Sequence, residues 1–276
     1  MRYPSNPCDA MFLDSDSKRL TNRRGFLLKA AAIALGGCAG LGVFSETPAA
    51  ELKALQPITP HIALIIDDIG YSVSRAHQFL ALDIPLTFAV LPRLVKSRPL
   101  ALAIHRQGHE VMLHQPMEPY NPLMDPGPGA LYVGDAADRI AAVLQENIDA
   151  IPFAIGVNNH MGSKFTSSQT EIGAALRTIR RKGLFFVDSR TSCRSKALKT
   201  AHSLALPAAG CNIFLDHYPE EEAIDRQLER LRDHARKHGR AVGIGHPRPQ
   251  TAAAIRRFVD GHSDFRAALV SISQLV

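Results

Sequence analysis

The chain of 276 residues is 46% hydrophobic and 21% charged, enough apolar material for one large core and too evenly apolar for a mostly disordered polymer. Its formal net charge is +6, and no dense Lys/Arg tract with interleaved aromatics occurs, which argues against nucleic acid as a partner. Six Lys/Arg and four Asp/Glu lie in the first fifty residues, so the remainder carries a mild +4 that leaves attraction to an anionic surface or polymer open.

The N-terminal stretch TNRRGFLLKAAAIALGGCAGLGVF sets Arg23 and Arg24 before Phe26, Leu27, Leu28 and Lys29, and an Ala/Gly-rich apolar run follows. It resembles a twin-arginine export signal, an address read by a receptor. The run is short and weakened by glycines, so a stable membrane span suits it less well. Small residues at Thr47–Ala50 suit cleavage by a signal peptidase, whereas LGGC (Leu35–Cys38) resembles a loose lipobox that would lipidate Cys38 and anchor the protein to a membrane. Residues 1–50 are therefore read as an export signal, 51–60 as a linker and 61–276 as the body of a periplasmic or otherwise extracytoplasmic protein. In that compartment Cys193 and Cys211 either pair or remain free buried thiols, and their spacing matches no zinc finger.

Along the body, apolar strand candidates recur at Ile62–Ile66, Leu86–Leu91, Glu110–His114, Phe153–Val157, Leu184–Val187, Asn212–Leu215, Ala241–Ile244 and Ala268–Ile272. Segments of helical periodicity separate most of them, and three end in Gly108, Gly183 and Gly239, where a helix C-cap is expected. This alternation argues for a parallel sheet covered by helices, either a closed (β/α) barrel or an open doubly wound sheet. In both, function gathers where the strands end.

The strand ends are rich in chemistry. Asp67 and Asp68 follow the first strand, His114 ends the third, and Asn158, Asn159 and His160 follow the fourth. Asp188, Ser189 and Arg190 follow the fifth, Asp216 and His217 the sixth, and His246 the seventh. Singly, an Asp after a strand caps the next helix, the reading favoured for Asp188 and Asp216. Most of the twelve histidines read as ordinary loop or surface residues. Together, Asp68, His114 and His160 have the composition of a catalytic zinc site, two imidazoles and one carboxylate. Zinc suits these ligands best, although manganese, nickel, cobalt or iron fit the same donors. A cation held by Asp68 would keep Asp67 ionised beside it as a base for water, with His246 as a second acid/base group.

The motifs LIIDDIG, GHEVMLH, VNNHMGSKF, FFVDSRTS and VGIGHP, in this order, resemble the divergent polysaccharide deacetylase family, relatives of the family 4 carbohydrate esterases. The resemblance runs from about Pro60 to the C-terminus. It implies an irregular (β/α) barrel and metal-dependent removal of acetyl groups from N-acetylated sugars. It also implies Asp67 as base, Asp68 and His114 as metal ligands, and His246 as general acid. Asp188 and Arg190 are implied to orient the base or the acetyl group. The main deacetylases carry a second His four residues after the first; here that place is Glu118, between Pro116 and Pro119, so His160 is the preferred third ligand. Glu118, Arg190 and Asn159 stay as additional candidates.

The leading expectation is thus an exported hydrolase of an acylated envelope glycan. The alternative is a catalytically degenerate barrel that binds glycan or a protein partner. A receiver-type signalling domain, which LIIDDI also fits, is set aside because of the export signal, His114 and the length of the body.

Overall fold

The computed structural model describes residues 59–276. The export signal, the lipobox at Cys38 and nearly all of the 51–60 linker lie outside them. Eight strands form a single parallel sheet: β1 His61–Ile69, β2 Thr87–Val90, β3 Glu110–Met117, β4 Ala154–Met161, β5 Phe185–Asp188, β6 Ala208–Gly210, β7 Ile213–Phe214 and β8 Arg240–Gly245. The helices are α1 Val73–Leu80, α2 Ser97–Arg106, α3 Ala137–Ala150, α4 Gln169–Arg181, α5 Ala197–Ser203, α6 Glu221–His238, α7 Pro249–Gly261 and α8 Ser263–Ala268. Gly108, Gly183 and Gly239 all take positive φ just past helix ends, as their positions predict.

The strand order is β6-β5-β4-β3-β2-β1-β8-β7, so the two edges of the sheet are adjacent in sequence. After β6 pairs with β5, the Cys211 amide still donates to Asp188 O, and the next amide, Asn212, donates to Val242 O beside β8. One broken strand therefore touches both edges and rounds the sheet into an irregular (β/α) barrel. This decides between the two architectures that alternation leaves open. Two further differences from the sequence reading appear. The segment Ala208–Gly210 is a strand that its Ala-Ala-Gly composition conceals. Ala268–Ile272 is not a strand: Leu269 makes one bridge to Ile62, then Ile272 and Leu275 turn into the barrel and plug it.

Strand alternation builds two cores. On β1, Ile62, Leu64 and Ile66 face the helices, while Ala63 and Ile65 face the barrel interior. The interior also takes Ala89, Met112, Phe185, Val187, Cys211, Val242 and Ile244. Cys211 is buried there and Cys193 is exposed, and both are free thiols, which resolves the question of their pairing. Among the described residues no helix is long and apolar enough to cross a membrane.

Gly156 on β4 faces the Phe185 ring, where an added Cβ would lie 2.2 Å from ring carbon Cε2. Gly156→Ala must displace that ring within a filled interior, and it is expected to cost about 1–3 kcal/mol of stability. The check is a lower denaturant midpoint at unchanged slope.

Candidate metal centre and active site

Alternation decides which strand-end side chains converge. With Ala63 and Ile65 facing the interior, Asp67 follows in the same file. With Met112 interior, so is His114; Val157 faces the helices, which turns its neighbour Asn158 inward, and His160 after it. Asp68 would by this rule point outward. Instead its backbone is left-handed, at φ 56°, and the pairing register shifts between Ile66 and Ile69. That local twist swings the Asp68 carboxylate back over the barrel mouth beside Asp67.

Three donor atoms meet there. Asp68 Oδ1 lies 3.2 Å from His114 Nε2 and 2.9 Å from His160 Nδ1. The two imidazole nitrogens are 3.1 Å apart. Ligand atoms bound at 2.0–2.1 Å around a tetrahedral zinc are separated by about 3.3 Å, so the three already stand near the edges of such a shell. Asp68 Oδ1 is buried and has no aligned hydrogen-bond donor. A buried carboxylate oxygen without a partner, facing two imidazoles, is the donor set a divalent transition metal would satisfy.

Asn158 organises this face. Its Nδ2 donates to Asp67 Oδ1 at 2.7 Å, and its Oδ1 is 2.7 Å from His114 Nδ1. The oxygen can only accept, so His114 carries a proton on Nδ1, and when the ring is neutral its lone pair sits on Nε2, toward Asp68 and His160. Asp67 is buried, with Oδ2 3.7 Å from His114 Nε2. Burial raises its carboxyl above the usual carboxylate range, against the opposing pull of His114 and His246. Asp68 goes the other way: burial would raise it, but the His114 and His160 imidazoles hold it well below that range. Neighbouring carboxylates pushed apart in this way are suited to different roles, the lowered one to a fixed anion and the raised one to exchanging a proton.

Just past β8, the strand paired alongside β1, His246 Nδ1 is 2.8 Å from Asp216 Oδ1, and its Nε2 faces the cluster 4.0 Å from Asp68 Oδ2. Asp216 is fully buried, and its Oδ2 accepts the His246 amide and the Thr251 hydroxyl, each at 2.7 Å. Burial pushes the His246 imidazole down, but Asp216 outweighs it and raises the group to about 9.

Asp67, Asp68, His114, His160 and His246 are thus brought together. The other candidates are placed elsewhere. Phe185 and Val187 face the interior, so Asp188 points out, where its carboxylate accepts the Arg190 amide and the Ser195 hydroxyl, each at 2.8 Å. Glu118 is held by Lys164 at 2.6 Å and by the Val133 amide at 2.8 Å. Asn159 Oδ1 accepts the Ser189 amide, and Arg190 Nη1 reaches Cys211 O. Asp216, read from the sequence as a helix cap, instead holds His246. Asn158 was visible only as one of several polar strand-end residues; its two-residue offset from His160 is the signal that places both on one face.

A parallel barrel with this constellation at its mouth defines a (β/α)-barrel protein of the deacetylase type. The chain belongs to the family described as divergent polysaccharide deacetylase, which matches residues 64–276. It is 34% identical over 200 residues to YibQ, an uncharacterized protein of Escherichia coli K12, covering 72% of this chain and 62% of that one. It is 32% identical over 195 residues to an uncharacterized protein of Haemophilus influenzae Rd, covering 71% and 69%. The matched part thus spans less than two thirds of the E. coli relative's length. Among solved structures, the uncharacterized protein ATU2773 of Agrobacterium tumefaciens C58 superposes with a TM-score of 0.74 at 26% identity, covering 79% of this chain and 89% of that one.

If the three donors hold a cation, protein purified without a His-tag and supplied with zinc should retain about one zinc per chain. The His114→Ala/His160→Ala double variant should retain almost none. Elemental analysis of both proteins, folded by circular dichroism, is the check.

Proposed function

We propose that the protein is an exported, metal-dependent hydrolase that removes acyl groups, chiefly acetyl, from a cell-envelope carbohydrate. The observation that carries this reading is the grouping at the barrel mouth: Asp67 beside the Asp68–His114–His160 donors, and the Asp216–His246 pair at the end of the neighbouring strand β8. Membership in the divergent deacetylase family supports the same chemistry. Arg23 and Arg24 support export.

Asp68, His114 and His160 would hold the cation, with zinc the best match to two imidazoles and a carboxylate. When bound, it supplies Lewis acidity for the acyl carbonyl and lowers the pKa of water. Asp67, its carboxyl raised by burial and steadied by Asn158, takes a proton from the attacking water as the oxygen bonds to the acyl carbon. His246, kept protonated by Asp216, gives its Nε2 proton to the amine nitrogen or alcohol oxygen as the bond to the acyl carbon breaks. Return of a proton from Asp67 to His246 through solvent resets the pair.

Asp67→Asn should abolish hydrolysis of acetylated oligosaccharides while zinc stays bound, because Asp67 is a proton acceptor rather than a donor to the cation. Wild-type rates in that variant would sink the mechanism, and an intact cellular phenotype would favour the glycan- or partner-binding alternative. Asp216→Asn leaves His246 in place but removes its anionic partner. A fall in kcat on the order of 100-fold or more with little change in KM is expected, measured on the same substrate.

A further inference from the structure

The turn that follows β8 holds a cation that the proposed reaction leaves unused. His246-Pro247-Arg248-Pro249 sets Arg248 between two prolines, whose rings fix φ on either side. Arg248 itself takes the extended backbone that a following proline favours, φ −107° and ψ 141°. Its amide donates to His246 O at 2.7 Å, and its carbonyl accepts the Ala252 amide in the first turn of α7 at 3.1 Å. From there the side chain crosses to the end of β7, where Nη1 donates to Asp216 O at 2.6 Å. The Asp216 and His246 side chains join the same two strand ends at 2.8 Å, and His246 Nε2 stands 4.0 Å from Asp68 Oδ2. Hydrogen bonds therefore place the guanidinium on the rim of the acid–base pair.

No ion pair neutralises that charge. Arg248 forms none among the described residues, whereas Arg257, farther along the helix that Arg248 caps, pairs with Glu221 at 2.6 Å and with Asp225 at 2.7 Å. Asp216, whose carbonyl holds the guanidinium, is fully buried, and its carboxylate is given over to the His246 ring, the His246 amide and the Thr251 hydroxyl. One N–H of the half-buried Arg248 fork is committed to Asp216 O, and the others remain for a ligand. Position decides which part of a substrate they meet. His246 protonates the departing amine or alcohol, so the group beside it meets the sugar half of the scissile bond. The acyl carbonyl belongs toward the Asp68–His114–His160 donors.

We propose that Arg248 is a specificity-determining residue that binds a carboxylate or phosphate carried by the sugar being deacylated. The proposal rests on the deacylase reading and narrows its substrate to an anionic acylated glycan. A planar guanidinium tethered through one Nη presents the rest of its fork to two anion oxygens, a match that a lysine ammonium lacks. The hydroxyls of a neutral sugar accept weaker hydrogen bonds from the same donors.

The test compares the zinc-supplied protein with its Arg248→Gln and Arg248→Lys variants on three acetylated oligosaccharides of equal length. One is a neutral N-acetylglucosamine oligomer, one carries carboxylates as N-acetylmuramyl units, and one carries phosphates. The quantity read is kcat/KM on each anionic oligomer divided by kcat/KM on the neutral one. The wild type should favour one anionic oligomer, which tells carboxylate from phosphate, and Arg248→Gln should lower that ratio about tenfold or more. Arg248→Lys, which keeps the charge without the fork, should restore part of it. If Arg248 only propped Asp216, its loss would slow all three oligomers alike. An unchanged ratio, or a wild type indifferent to charge, overturns the proposal. Should Arg248→Gln not fold, the lysine variant decides alone: a ratio below wild type upholds the proposal, and an equal one overturns it. If the wild type hydrolyses none of the three, the deacylase reading has failed, and calorimetric binding of the same oligomers tests Arg248 separately. Tighter binding of an anionic oligomer that the variants weaken upholds it; equal or absent binding of all three overturns it.

Discussion

Two consecutive carboxylates on a strand should face opposite sides of the sheet, and the site depends on the fact that here they do not. Asp67 obeys alternation and enters the barrel; Asp68, at φ 56°, is turned back to join it. Holding a non-glycine residue left-handed costs about 1 kcal/mol, and Asp is among the residues that tolerate it best. That cost places a carboxylate oxygen against two imidazoles while leaving its neighbour free for a different task. The adjacency that looks repulsive in the sequence becomes a division of labour, with one carboxyl pushed up by burial and the other held down by His114 and His160.

The remaining parts serve to keep that arrangement still. Asn158 bridges Asp67 and His114, so the carboxylate and the imidazole cannot reorient independently. Asp216 does the same for His246, itself fixed by the Thr251 hydroxyl and the His246 amide. These are side chains of parallel strands whose lower halves interlock in a buried apolar interior of Ala63, Ile65, Met112, Val187, Val242 and Ile244. The C-terminal residues Ile272 and Leu275 fill the barrel from within. Rigid strands below and loop chemistry above is the arrangement on which a preorganised site depends.

Much of this was legible in the sequence, and the failures have a common cause. Strand and helix alternation and the Gly-terminated helices follow from periodicity; the grouping of Asp68, His114 and His160 follows from their common place at strand ends, although alternation alone turns Asp68 outward. What periodicity cannot supply is phase. Phe185, Phe186 and Val187 are all apolar because both faces of β5 are buried, so nothing in FFVD says that Asp188 points away from the mouth. NIFLD hides in the same way that Asp216 points toward it. The run at Ala268–Ile272 reads as a strand because a plug and a strand bury the same residue types. Ala208–Gly210 carries no β-branched residue to announce itself. The resemblance of the motifs to the divergent deacetylases supplied the barrel, and the chain's membership in that family agrees with it.

The central claim is that Asp68, His114 and His160 are a metal site and not a hydrogen-bonded cluster. Anomalous diffraction at the zinc edge, from crystals of the zinc-supplied body without a tag, tests it most directly. The account predicts one anomalous peak about 2.0–2.2 Å from His114 Nε2, His160 Nδ1 and an Asp68 oxygen. No peak there at saturating zinc, with the three side chains still in mutual contact, would contradict it.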